Sequence, residues 1–202
     1  MTGASSGIGR ATCQALAEQG AKVVGTARNE PSLLALKEEG VISDFIVADI
    51  TKAGECERMV GKAVELLGGL TTVVNAAGVL VGGAIGDASV DLSNYQQNMI
   101  CNTQAPFEIL VHAIPHLKAQ TNDTSRSIVN VSSVNGKQSF AGCASYCMSK
   151  AAIDQLTRCA SVDLAKFGIR VNAVNPGVIE TNLQKVGTMV VTQRIQVIPF
   201  SY

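Results

Sequence analysis

Tyr146 and Lys150 stand four residues apart in the run Tyr146-Cys147-Met148-Ser149-Lys150. On a helix that spacing puts phenol and ammonium on one face. A free phenol ionises near pH ~10, too high for a base at neutral pH. A neighbouring cation favours phenolate, so the pair is expected to lower the Tyr146 pKa. Ser133 ends an apolar run thirteen residues before Tyr146. Its hydroxyl there can hydrogen-bond a carbonyl oxygen as charge develops on it. A second chemistry lies in Thr2-Gly3-Ala4-Ser5-Ser6-Gly7-Ile8-Gly9. Three glycines let main chain approach a pyrophosphate, and a helix starting here offers it unpaired N–H groups and a positive dipole end. Taken singly, each pattern has a plainer reading: a surface pair, a helix cap, a Gly/Ser-rich loop.

These groups need elements to hold them. Ser5 or Ser6 can cap a helix that runs to about Gln19 and stops at Gly20. Residues 22–27 read as a strand. Asn29 caps the next helix, along which Leu33, Leu34 and Leu36 lie, and Gly40 ends it. Residues 41–48 are β-like. Residues 52–67 are helical, with Met59, Ala63 and Leu66 in one stripe and Gly68-Gly69 as the stop. Residues 70–75 form a buried strand. A long helix is predicted over 92–117, with Ile100, Phe107, Leu110, Val111 and Ile114 inward. Residues 127–132 are a strand, 144–167 a helix carrying Ile153, Leu156, Ala160, Leu164 and Phe167, and 169–175 the last strand. Strands alternating with helices through short connections predict a doubly wound parallel sheet of Rossmann type in a single α/β domain.

Composition narrows the function classes. The chain has 202 residues, 47% apolar and 16% charged, which excludes a disordered chain. Sixteen basic and sixteen acidic residues give a formal charge of zero and argue against nucleic acid or a membrane surface as partner. The uncharged stretch 66–86 holds six glycines and Asn75, so it reads as a strand and loops rather than a membrane span. Six cysteines occur without a CxxC pair or a leader, which predicts free thiols and a cytoplasmic protein. His112 and His116 are spaced i, i+4, but no third ligand accompanies them, so no metal is expected.

Taken together and in this order, the motifs resemble those of the short-chain dehydrogenase/reductase family, over residues 2–185. Gly3, Ser5, Ser6, Gly7, Ile8 and Gly9 fall on its cofactor-binding glycine motif. Asn75, Ala76, Ala77 and Gly78 resemble its NNAG motif, with Ala in the second place. Ser133, Tyr146 and Lys150 fall on the catalytic serine, tyrosine and lysine, and Asn102 on the catalytic asparagine. Pro176, Gly177, Val178, Ile179 and Thr181 resemble the segment that holds the nicotinamide carboxamide, and Asp49 and Ile50 the residues beside adenine.

The resemblance implies hydride transfer between a nicotinamide cofactor and a ketone or secondary alcohol. Ser133 and Tyr146 would bind the carbonyl, and Tyr146 would give the proton. Lys150 would hold the ribose and lower the Tyr146 pKa, and Asn102 would place a water. Pro106 has no N–H for the Asn102 carbonyl, which leaves that carbonyl able to take a water. At the end of the second strand, where an acidic residue would bind ribose hydroxyls, position 27 is Ala and Arg28 follows, which favours NADP (NADPH) over NAD. The partners implied are a small carbonyl or alcohol substrate and a second copy, in a dimer or tetramer built on the 92–117 and 144–167 helices.

Two departures qualify the resemblance. Met1 directly precedes Thr2-Gly3, so the first strand is expected to be missing. The family-like text runs out near Lys185, which divides the chain into a domain over 1–185 and a divergent tail over 186–202. The rival readings are a catalytically impaired partner subunit and an NADPH-binding regulator without turnover.

Overall fold

The computed structural model describes residues 1–88, 90–120, 125–181 and 183. The expected tail lies outside them. Among the described residues five parallel strands form the sheet: β1 (Val24–Ala27), β2 (Asp44–Val47), β3 (Thr72–Asn75), β4 (Arg126–Val131) and β5 (Ile169–Val174). Neighbouring pairs run β2–β1 on one side and β3–β4–β5 on the other. No strand precedes the glycine turn among the described residues. Thr2 takes that central place, bridging Thr26 of β1 and Asn75 of β3. The Thr2 N–H donates to the Val74 carbonyl at 3.0 Å, and the Thr26 N–H to the Met1 carbonyl at 2.8 Å.

Among the described residues six α-helices cover the sheet: α1 (Gly7–Glu18), α2 (Glu30–Glu38), α3 (Glu55–Leu67), α4 (Leu92–Met99), α5 (Ala105–Ala119) and α6 (Ala144–Ala165). Asn29 caps α2 through its side chain, which accepts from the Ser32 N–H at 2.9 Å. Gly68, at φ 74, closes α3. Cys13, Leu33, Leu36 and Ile42 make one core with α1 and α2. Met59, Ile109, Leu117, Ile128 and Leu164 belong to the larger core under α3, α5 and α6. All six cysteines are free. No helix among the described residues is long and apolar enough to cross a membrane.

The long helix expected over 92–117 is interrupted. A π turn, Ile100–Gln104, separates α4 from α5, and the Ala105 N–H reaches back to the Ile100 carbonyl. One extra residue in a turn rotates everything downstream by about 100°. Ala105, Ile109, Ala113 and Leu117 therefore face the core, and Phe107 and Val111, expected inward, are exposed.

Candidate active site

A cleft of about 390 Å³ opens at the C-terminal ends of the strands. The glycine turn forms its floor. Gly3 has φ 67, and a Cβ there would lie 2.7 Å from the Ala77 nitrogen. A Cβ on Gly9 would collide with the Gly3 carbonyl, so only glycine lets α1 pack onto the turn. The Thr2 hydroxyl accepts from the Ala76 and Ala77 N–H groups at 3.1 and 3.2 Å, tying the turn to the end of β3. Ser6 is the N-cap of α1 in extended conformation, and its side chain makes no cap bond. A phosphate fits this arrangement: main-chain donors, a helix terminus, and no side chains in the way.

Of the residues expected from sequence, the cleft is lined by Gly3, Ser5–Gly9, Arg28, Asp49, Ile50, Ala76–Gly78, Ser133, Tyr146, Lys150, Pro176–Ile179 and Thr181. Arg28 is exposed at its rim. The Asp49 carboxylate accepts from the Thr51 hydroxyl at 2.7 Å, which holds it below the usual carboxylate range, with a smaller pull from Arg28. Asn75 and Asn102 sit behind the wall. Asn75 is buried and donates to Asn130 Oδ1 at 2.9 Å.

Ser133, Tyr146 and Lys150 converge. A 3₁₀ turn (Val134–Gly136) follows Ser133, whose side chain accepts from the Asn135 N–H at 3.2 Å. Tyr146 lies in the first turn of α6 with its phenol near the Ser133 hydroxyl, which itself bonds Asn135 Oδ1 at 3.3 Å. Lys150 Nζ is one turn on, 5.7 Å from the Tyr146 ring centre, and donates to the Val131 carbonyl at 3.0 Å.

The charge logic differs from the sequence expectation. Burial pushes the Tyr146 phenol up, outweighing the Ser133 hydrogen bond that lowers it. Burial likewise brings Lys150 down to about 8, against the opposing pull of Cys101 and Asp154. Desolvation, rather than the ammonium, therefore sets the phenol.

Asn102 is fully buried, its Oδ1 accepting from the Val79 N–H and its Nδ2 donating to the Val79 carbonyl, both at 2.9 Å. A Cβ on Gly78 would come 3.3 Å from Asn102 Oδ1 and 3.6 Å from Lys150 Nζ, so Gly78 lies between them. Sequence reasoning missed Asp154 and the bonds of the Asn175 side chain. Asp154 is buried one turn after Lys150. Its carboxylate accepts from Asn175 Nδ2 at 3.0 Å, and that amide also bonds the Ser133 carbonyl. The i, i+4 spacing from Lys150 was the available signal.

The comparisons match this geometry. The short chain dehydrogenase family model covers residues 1–188. The chain belongs to the short-chain dehydrogenase/reductase family. A 2,5-dichloro-2,5-cyclohexadiene-1,4-diol dehydrogenase of Sphingobium indicum is 35% identical over 185 residues, 90% of this chain and 72% of the relative. An L-xylulose reductase of Caenorhabditis elegans is 34% identical over 184 residues, 91% of this chain and 72% of the relative. Among solved structures, a family member of unknown function from Caenorhabditis elegans, with cofactor, superposes with TM-score 0.82 at 34% identity, covering 94% of this chain and 72% of that one. Members of the family are nicotinamide-dependent oxidoreductases, and this chain is an enzyme of that class.

Proposed function

We propose that this enzyme uses NADP(H) to interconvert a ketone and a secondary alcohol. The observation that carries the reading is the convergence of the Ser133 hydroxyl and the Tyr146 phenol in the cleft, with the Lys150 ammonium behind them. A carbonyl oxygen between the two hydroxyls would be polarised by both, and Tyr146, protonated at neutral pH, would supply the proton. The bound nicotinamide supplies or accepts the hydride. Lys150 would hold ribose hydroxyls, and Asn102 would order a water near it. The glycine turn would take the pyrophosphate, Asp49 and Ile50 the adenine, and Pro176–Thr181 the carboxamide.

Arg28 at the rim supports NADP, because a guanidinium can pair with a 2′-phosphate. An actinorhodin polyketide ketoreductase solved with NADPH superposes with TM-score 0.84 at 32% identity, covering 92% of this chain and 72% of that one. The partner we propose is a second copy, docked through the exposed Phe107 and Val111 of α5 and Met148 and Val162 of α6. Sedimentation of wild type and Phe107→Glu checks this: a dimer that the charge dissociates is expected, and a wild-type monomer overturns it. The function itself is tested by following NADPH and NADH oxidation with a panel of ketones and diketones. Turnover with NADPH preferred, and a preference that Arg28→Asp erases, is expected. No turnover with tight NADPH binding would favour a binding-only role.

A further inference from the structure

Asn98 lies one helical turn before Asn102 and is completely buried. Its Oδ1 accepts from the Val81 N–H at 3.1 Å. Its Nδ2 donates to the Val81 carbonyl at 2.9 Å and to Ser145 Oγ at 2.8 Å. Asn102 repeats this pattern one rung along, with Val79 and with Ser149 Oγ at 3.0 Å. The repeat has a geometric basis. Four helical residues rise about 6 Å and two extended residues span about 6.6 Å, so the two stay in step. Asparagines at 98 and 102, serines at 145 and 149, and main-chain groups at 79 and 81 therefore form a two-rung ladder.

We propose that Asn98 and Ser145 are positioning residues of this active site, a second clamp that fixes the 79–81 wall of the cleft against the Tyr146 end of α6. Neither side chain lines the cleft, so they act through others. Val79 and Leu80 line it, and Ser145 directly precedes Tyr146. Without the Asn98 rung, the next ties beyond Leu80 would be Asn94 Nδ2 to the Gly82 carbonyl at 3.1 Å and the Gly83 N–H to the Gly142 carbonyl at 2.7 Å, which leaves Leu80 and Val81 a longer unclamped span. With both rungs the residues on either side of Leu80 are fixed, and the same bonds tie that segment to the first turn of α6. The Ser149 hydroxyl also donates to the Tyr146 carbonyl at 2.7 Å, so both rungs end beside Tyr146. The distance between this wall and the proton donor is thus set by these side-chain amides together with the main-chain bridge of Gly83 to Cys143.

The proposal rests on the oxidoreductase reading for its kinetic consequence but not for its geometry. Asn98→Leu would strip two main-chain groups of partners and can fail to fold, so Ser145→Ala and Ser145→Thr are the variants of choice. Each is measured for NADPH affinity, melting temperature, and kcat and KM on a ketone that the wild type reduces. The tyrosinate titration of the ligand-free protein is followed by ultraviolet absorbance, with Tyr146→Phe isolating the Tyr146 step. A small misplacement near the chemistry is costly, so Ser145→Ala is expected to lower kcat about fivefold or more and to raise KM. NADPH affinity should hold and the Tyr146 titration should move, with Ser145→Thr restoring both kcat and titration. Wild-type kinetics and titration in Ser145→Ala would overturn the proposal. So would parallel losses of stability, NADPH affinity and kcat that Ser145→Thr does not restore. If the wild type reduces no ketone, the oxidoreductase reading fails separately and the titration alone decides: a shift in Ala but not in Thr supports the clamp, and no shift refutes it.

Discussion

Tyr146 keeps its proton past neutral pH because burial penalises phenolate more than the Ser133 hydrogen bond favours it. That suits a proton donor to a developing alkoxide. Tyr146→Phe keeps the ring and its packing and removes only the donor, so kcat should fall about 10²–10⁴-fold while NADPH affinity holds. Substantial residual turnover would remove Tyr146 from the chemistry. Lys150 sets a different limit. Its folded pKa, about 8, lies below the unfolded value of about 10.4. Between those values the unfolded chain holds more protons, so this group's contribution to stability rises with pH across that window and is flat below it. Activity should run the other way. The ammonium is lost above pH ~8, and kcat/KM for carbonyl reduction should decline there, since that profile reports groups of the free enzyme. A flat profile to pH ~10 would show that Lys150 charge is not used.

At the scale of elements, the site depends on the 3₁₀ turn lying flat on α6. Gly136 makes that possible: a Cβ would stand 2.5 Å from Asp154 Oδ2 and 2.9 Å from the Lys150 carbonyl. Gly136→Ala should push Ser133 away from Tyr146, costing about 1–3 kcal/mol of stability by overpacking. It should cost more in kcat than Gly61→Ala, at a glycine where an added Cβ meets nothing within 4 Å. Equal effects in the two variants, read by thermal melts and turnover, would refute the packing argument. The elements themselves were largely legible. Glycine stops at 20, 40 and 68, the Asn29 cap and the alternation of strands with helices all reappear. That the glycine turn, Tyr146 and Lys150 meet in one cleft was legible because glycine spacing and the Tyr146–Lys150 step are local patterns. The π turn was not, because a period of 3.6 assumes an unbroken helix, and the inserted residue rotated Phe107 and Val111 outward. Asn98 and Asp154 were not, because their partners lie far off in sequence, as Asn98 to Ser145 and Asp154 to Asn175 show.

Across the whole molecule, the sheet is two parts, β2–β1 and β3–β4–β5, joined at the centre by the two bridges of Thr2. The cleft straddles that join. Arg28 and Asp49 line it from the first part, and Ala77, Ser133 and Lys150 from the second. A dinucleotide filling it would touch both parts at once and act as a further cross-link. Binding to the native state alone stabilises by RT ln(1 + [L]/Kd), about 2.7 kcal/mol at a hundred times Kd. NADPH should therefore raise the melting temperature, and hydrogen exchange should slow at amides of β1 and β3 together rather than only at the glycine turn. Thr2→Ser keeps the hydroxyl that accepts from Ala76 and Ala77, whereas Thr2→Val removes it. Loss of coupled protection in Thr2→Val, with Thr2→Ser close to wild type, is the expected outcome. Protection confined to α1 and the glycine turn in the wild type would show that the cofactor engages one part alone.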